Sequence, residues 1–319
     1  MMTELGHTVF FYGSPQDEGV ICHQFIPCIR YSVKGEVFDP KARHWRIMGI
    51  AAYNAIWSRK ISGDFLCIIG GTCQKALADK LPDLTCVEYA VGYGGTFAQF
   101  RVFESVVWQH TVYGADAQRK GNVCDANVNF YDAAIPHAFD KTVFPTPVQK
   151  KDNYFLYVGR MASRKGLSIA IETCKRLSAK LILAGPPGDF TLLPEHGEYL
   201  GIVTDEKKME LMRHARAVFC PTTYIEPFGC VSVEARFCGT PVLATPAGAY
   251  AEHVVDGVDG FLCHELGEWI RAAAISHNLD VFRIVKMAQS RFDIEVVKPM
   301  YQRYFERLST LKAAGWYTV

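Results

Sequence analysis

A chain of 319 residues is too long for one small core and suits two domains of roughly 150 residues each. With 49% hydrophobic and 21% charged residues it has ordinary globular usage, which excludes a largely disordered chain. Lys plus Arg number 34 against 33 Asp plus Glu, so a net charge of +1 removes any whole-chain attraction to nucleic acid or an anionic membrane.

In chain order, Met1 to Gly6 reads as the last turn of a helix closed by Gly6, and Thr8 to Tyr12 as the strand that follows at once. A helix is expected over Ala42 to Arg59, then strands at Phe65 to Ile69 and Thr85 to Ala90. Ala98 to Tyr113 reads as a helix whose Phe97, Phe100, Phe103 and Trp108 pack inward, and Asn129 to Ile135 as a strand. The Pro-containing stretch Phe144 to Asn153 reads as an interdomain linker. Beyond it, strands at Tyr154 to Val158, Lys180 to Ala184, Ala217 to Cys220 and Pro241 to Thr245 alternate with helices. The helices are Leu167 to Leu177, Lys207 to Ala215, Val231 to Cys238 and Gly267 to Ser276. This alternation is the rhythm of parallel sheets with crossover helices. Glu295 to Leu311 is an amphipathic helix with Val296, Met300, Tyr304 and Leu308 on one stripe.

The eleven cysteines include no C-x-x-C pair and no metal-ligand spacing with His, which argues for neither a zinc site nor a disulfide framework and fits a reducing, cytoplasmic setting. No apolar run approaches the roughly 20 residues of a membrane span, and the opening residues lack a signal-peptide pattern.

Four loops at strand ends are candidates for chemistry. The densest is Glu226-Pro227-Phe228-Gly229-Cys230 running into Val231 to Ala235, where Gly229 allows a tight turn into a helix start suited to an anion. Glu226 before that helix and Glu234 on its first turns suit hydroxyls of a ribose or sugar better than they suit phosphate. A capped helix with surface glutamates is the plainer alternative. Gly159-Arg160 through Lys165-Gly166 places two cations after a strand, where a diphosphate can sit, although a solvated basic turn has the same composition. Ala184 to Gly188 and Thr245 to Ala249 end strands in the same way.

Together these stretches resemble the donor-binding domain of a GT-B glycosyltransferase of the retaining family 4, the glycosyltransferase group 1 family. The resemblance rests on Tyr157-Val158-Gly159-Arg160 with Lys165-Gly166, Leu183-Ala184-Gly185, and Gly201-Ile202-Val203. It continues through the Glu226/Glu234 pair spaced as E-x7-E, Gly239-Thr240-Pro241-Val242, Val254-Val255-Asp256-Gly257 and Gly260-Phe261. It covers residues 154 to 263, about a third of the chain.

The resemblance implies an α/β GT-B fold of two Rossmann-like domains facing across a cleft. Residues 1–148 would form the acceptor-side domain, and residues 149–298 the nucleotide-sugar domain, with a helix from about 299–319 crossing back. It implies retaining transfer of a sugar from a nucleotide diphosphate sugar, with UDP, GDP and ADP all open as carrier and the acceptor a glycan, a small molecule or modified DNA. Arg160 and Lys165 would neutralise the diphosphate. Glu226 would hold donor-sugar hydroxyls, Gly159, Phe228, Gly229 and Cys230 would hold sugar and phosphate, Glu234 the ribose, and the Val203 backbone the nucleobase. No D-x-D triplet occurs, and the cationic side chains imply a reaction with no metal and no cofactor.

In the first half, the family's glycine loop after the first strand has no counterpart, which implies a truncated or misassigned start, an enzyme that works without the loop, or a loss of activity. Relatives also carry a His near the end of a central strand, a place that Glu88 or Tyr89 would take here. Tyr93, Gly94 and Gly95 offer acceptor or sugar contacts, or simply a tight turn. His110 and His137 are further candidates, His110 ahead of His137, although a lone His is more often a structural residue than a base. Two alternatives follow: an inert nucleotide-sugar-binding scaffold, and a phage-type DNA-base glycosyltransferase, to which the neutral charge gives no support.

Overall fold

Short, largely apolar strands joined by amphipathic helices cannot bury themselves one at a time. In this chain they collect into separate parallel sheets. The computed structural model describes residues 1–29, 39–122, 128–190 and 193–311. Its contacts divide into two units. The first comprises Met1–Glu104, Val112–Ile135 and Lys298–Val319, and the second Ser105–Thr111 and Pro136–Val297.

The first unit opens with a turn in which the His7 amide donates to Met2 O and the Gly6 amide to Thr3 O, the paired bonds of a helix C-terminus with Gly6 at φ +85. Strands β1 (Phe10–Gly13) and β2 (Gln24–Pro27) pair in parallel. Helix α1 (Arg43–Trp57) precedes β3 (Phe65–Ile68), a short α2 (Lys75–Ala78), β4 (Thr85–Val91) and β5 (Phe100–Phe103). Helix α3 (Val106–Arg119), whose start to Thr111 groups with the second unit, is followed by the two-residue β6 (Ala133–Ala134), which completes a parallel sheet ordered β3-β4-β5-β6. Its core gathers Ile56, Leu66, Ile68, Leu77 and Leu81.

One expected helix is corrected here. Ala98 to Tyr113 is not continuous: Phe100, Val102 and Phe103 are buried in a strand registered against β4, and the helix begins only after Ser105. The aromatic spacing fits a helix face, but a central strand buried on both sides needs the same residues, so pairing with β4 outweighs periodicity. The expected strand Asn129 to Ile135 shrinks to β6, because Asn129 and Asp132 are drawn into hydrogen bonds with Gln99 O, the Tyr131 amide, Arg101 and Tyr113.

The second unit carries the elements β7 (Tyr154–Val158), α4 (Leu167–Arg176), β8 (Lys180–Ala184), β9 (Gly197–Tyr199), α5 (Asp205–His214), β10 (Val218–Cys220), α6 (Cys230–Phe237) and β11 (Val242–Ala244). After these come α7 (Tyr250–His253), β12 (Gly260–Leu262), α8 (Leu266–Ile275) and α9 (Val281–Phe292). The strands form one parallel sheet ordered β12-β11-β10-β7-β8-β9. Strand alternation sorts its two cores. Leu156, Ile182, Val218 and Val242 pack with Leu211, Met212 and Ala235. Phe155, Leu181, Phe219 and Leu243 pack with Leu167 and Trp269.

The units divide at Ile135 and Pro136, ahead of the expected boundary at 148. The stretch 144–153 is irregular as expected, yet Phe139 and Phe144 already stack on Phe237 at 5.7 and 4.7 Å, which fastens its start to the second unit. Helix α10 (Ile294–Ser309) leaves the second unit, and from Lys298 it groups with the first. There Gln302 meets His7 at 2.6 Å and Phe305 meets Phe65 at 5.0 Å. Its buried stripe is Val297, Tyr301, Tyr304 and Leu308, one residue turned from the expected line at Val296 and Met300.

Candidate active site

Parallel pairing places the carboxyl ends of β7, β8, β10 and β11 side by side, so the four loops singled out in the sequence leave one edge of one sheet. After β7, Gly159 turns at φ +155 and Arg160 is exposed, and a 3-10 turn at Ser163–Lys165 leads through Gly166 into α4. After β10, the chain runs through Thr222, Thr223 and Tyr224 to Glu226, and Gly229, left-handed at φ +83, opens α6. The first-turn amides of that helix point towards the same end of the sheet, where an anion is favoured.

The side chains brought together are Lys165, Tyr224 and Glu226. Lys165 Nζ lies 2.9 Å from Glu226 Oε2, and the Tyr224 hydroxyl donates to that same oxygen at 2.6 Å. Tyr224 also lies under two cations, with Lys165 Nζ 4.8 Å and the Arg164 guanidinium 5.2 Å from its ring centre. Burial and the adjacent Glu226 carboxylate push the Tyr224 phenol well above its ordinary pKa, so it stays a hydrogen-bond donor. Glu226 is thus held by its Oε2 atom.

Behind this group, Gly248 in the loop after β11 is left-handed at φ +60. A Cβ there would lie 2.4 Å from the Glu226 amide nitrogen, so only glycine lets the two loops touch. The Ala249 amide donates to Glu226 O at 2.9 Å, and the Thr245 hydroxyl to Thr222 O at 2.8 Å, which completes the join.

Glu234 sits apart from Glu226, on α6, where Lys208 Nζ from α5 meets its Oε1 at 3.0 Å. Burial alone would lower the Lys208 pKa, but hydrogen bonds to Glu234 and Asp205 raise it above its ordinary value. Val203 precedes the α5 cap Thr204, just past the end of β9. Phe228 is buried, with His137 and His253 edge-on to it at 4.8 and 4.6 Å and Phe139 stacked at 6.3 Å, so it anchors the loop by its side chain. Cys230 is exposed at the first position of α6. An open pocket beside the cluster is lined by Arg160, Arg164, Pro186, Pro187, Gly188 and Asp189, and by neither glutamate.

The acceptor-side candidates lie in the first unit, except His110, which is exposed on α3 within the segment that groups with the second. Glu88 is corrected to an interior role. It is fully buried, and its Oε2 accepts the Phe97 and Ala98 amides at 2.9 Å each, so it shapes the turn rather than facing solvent. Burial raises its pKa and that of Tyr93. Tyr93 packs against Gly71, while Gly94 is exposed and the Gly95 carbonyl accepts the Thr72 amide at 3.0 Å. Sequence reasoning missed Tyr224, whose local signal is its place two residues before Glu226, and it gave no role to Lys208 or to Gly248, although Gly248 lies in a loop it singled out.

Comparison with known proteins bears on this arrangement. Residues 139–274 match the model of "Glycosyl transferases group 1". The D-inositol 3-phosphate glycosyltransferase of Mycolicibacterium smegmatis is 34% identical over 157 residues, 44% of this chain and 35% of that protein. Its counterpart from Mycobacterium bovis is 35% identical over 140 residues, 39% of this chain and 28% of that protein. The matched region thus spans about a third of these curated relatives.

Among solved structures, AviGT4, a glycosyltransferase of avilamycin A biosynthesis, aligns with TM-score 0.66 at 20% identity, over 97% of this chain and 87% of that one. Sucrose-phosphate synthase from Thermosynechococcus elongatus aligns with TM-score 0.69 at 16% identity, over 97% and 91%. Anabaena Alr3699/HepE, solved with UDP-glucose, aligns with TM-score 0.60 at 20% identity, over 83% and 82%. At these identities the likeness is one of fold, the α/β fold of GT-B glycosyltransferases.

Proposed function

We propose, on the premise that residues 139–274 are a domain of the glycosyl transferases group 1 family, that the chain moves a sugar from a nucleoside diphosphate sugar to an acceptor with retention and without a metal. The observation that carries this reading is the Lys165, Tyr224 and Glu226 cluster beside the start of α6, with Arg160 on the adjoining loop. In this reading Arg160, Lys165 and the α6 amides take the diphosphate, and Glu226 takes hydroxyls of the donor sugar. Glu234, held by Lys208, takes the ribose, and the Val203 backbone meets the base. A neighbouring fold solved with UDP-glucose supports a nucleotide sugar as donor.

For the reaction, the bond from the anomeric carbon to the β-phosphate oxygen breaks while the acceptor oxygen bonds that carbon on the same face. The acceptor proton passes to the departing phosphate. Charge then accumulates on the diphosphate, where Arg160 and Lys165 stabilise it, and this positive charge is the part a divalent ion would otherwise play. An incoming diphosphate would compete with Glu226 for the Lys165 ammonium.

A thermal-shift panel of UDP, GDP, ADP and their glucose conjugates tests the reading, with donor hydrolysis followed in parallel. At least one nucleotide should raise the melting temperature, and its sugar should be hydrolysed slowly. Binding without any turnover would favour the inert scaffold, and no binding at all would remove the donor site.

A further inference from the structure

The loop that carries Glu226 is secured from behind by a segment far away in sequence. Ser105 is 3% exposed, and its hydroxyl donates to Pro227 O at 2.6 Å, across 122 positions of chain. That hydroxyl also accepts the Trp108 amide at 3.1 Å, so it caps the first turn of α3 while it holds the peptide between Pro227 and Phe228. The Glu252 carboxylate of α7 accepts the Val106 amide at 3.2 Å and the Val107 amide through its other oxygen. Segment Ser105–Thr111 accordingly groups with the second unit.

Helix α7 is itself immobilised. Arg291 donates to Glu252 O at 2.7 Å and to His253 O at 2.9 Å, and Arg236, paired with Asp259 at 2.9 Å, donates to His253 O at 2.6 Å. Glu252 therefore offers its carboxylate from a fixed backbone, and Ser105 reaches Pro227 from a helix start fixed in turn by Glu252.

We infer that Ser105 and Glu252 are positioning residues for the donor loop. Through the Pro227 carbonyl they set the orientation of the Phe228, Gly229 and Cys230 peptides against a nucleoside diphosphate sugar. The inference rests on the donor-site reading above. A carbonyl whose hydrogen bond is fixed cannot rotate, and its peptide plane fixes the next amide in turn. Neither residue need touch substrate. Losing the Ser105 hydroxyl leaves a part-buried carbonyl without its partner, and the peptide then samples orientations that do not fit the diphosphate.

Isothermal titration of UDP, GDP and ADP into the full chain and into Ser105→Ala, Ser105→Thr and Glu252→Gln tests this. Ser105→Ala should weaken the best of the three ligands about tenfold, with Ser105→Thr, which keeps a hydroxyl, recovering most of the loss. Glu252→Gln should weaken it about threefold, and it stands in as the decisive variant should Ser105→Ala not fold. Donor hydrolysis should show the change mainly in KM, with kcat altered less, while the melting temperature without ligand stays within a few degrees. Binding by the unmodified chain with equal affinity in Ser105→Ala and Glu252→Gln overturns this inference alone. Absence of binding of all three by the unmodified chain overturns the donor-site reading together with it.

Discussion

Lys165 and Glu226 stand 61 positions apart and meet at 2.9 Å, with side chains 28% and 13% exposed. A pair this accessible adds little stability by itself, so its value lies in holding a cation and a carboxylate ready at one place. Replacing either cation should therefore harm binding and spare folding. Arg160→Ala and Lys165→Ala are each expected to weaken nucleoside diphosphate binding by roughly ten- to a hundredfold, the range of a lost charge-assisted hydrogen bond. Titration calorimetry measures this, and unchanged urea midpoints would show that the fold is spared. His253 is different, because it lies behind the loop. Burial first, and then the nearby Arg236 and Arg291 cations, lower its pKa from 6.5 to about 3, with His137 adding to the same effect. The unfolded imidazole takes up its proton near pH 6.5 and the folded one only near pH 3, so the unfolded chain binds more protons within that window. Stability is complete above it and falls as the pH drops, by up to about 1.4 kcal/mol for each unit crossed. Urea denaturation at pH 7, 6 and 5 should show this slope, and His253→Gln should flatten it.

At the level of elements, the β7 to α4 turn and the loop after β10 are pressed together. Gly166 is left-handed at φ +70, and a Cβ there would fall 1.7 Å from Pro221 O, a backbone atom that cannot swing aside. Gly166→Ala should lower stability by roughly 2–4 kcal/mol, since both the conformation and the space are unavailable to alanine. A chemical-denaturation midpoint near that of the unmodified chain would refute this packing. The buried Arg236 and Asp259 pair ties α6 to the start of β12 in the same interior. The guanidinium also donates to Ser232 O within α6 and to His253 O, so α6, α7 and the start of β12 depend on one cation. These contacts explain why α7, only four residues long, holds a fixed place.

For the molecule as a whole, each unit has its own apolar core, and the residues proposed to hold the donor all belong to the second. A nucleotide that binds there should stabilise that unit first. At a concentration one hundred times its Kd it contributes about 2.7 kcal/mol, enough to raise the melting temperature by roughly 5–10 °C for a domain of this size. Scanning calorimetry with and without ligand checks this, and a shift confined to a transition of the first unit would contradict the site. Much of this plan was legible in the chain. Strands β7 and β8 run over the residues expected, and the family likeness of their loop motifs singled out Glu226, Glu234, Arg160 and Lys165 as donor candidates. By itself the sequence determined the alternating α/β plan and marked the loops at strand ends, since these follow from local periodicity and turn chemistry, while the donor roles on those loops came from the likeness to a family. Only the tertiary structure decided that β5 is a strand, that Glu88 is interior, and that Tyr224, Lys208, Gly248 and Ser105 support the acidic pair. Those outcomes depend on contacts that only the fold selects, from two positions away for Tyr224 to 122 for Ser105, and no local pattern encodes which of several compatible contacts a folded chain makes.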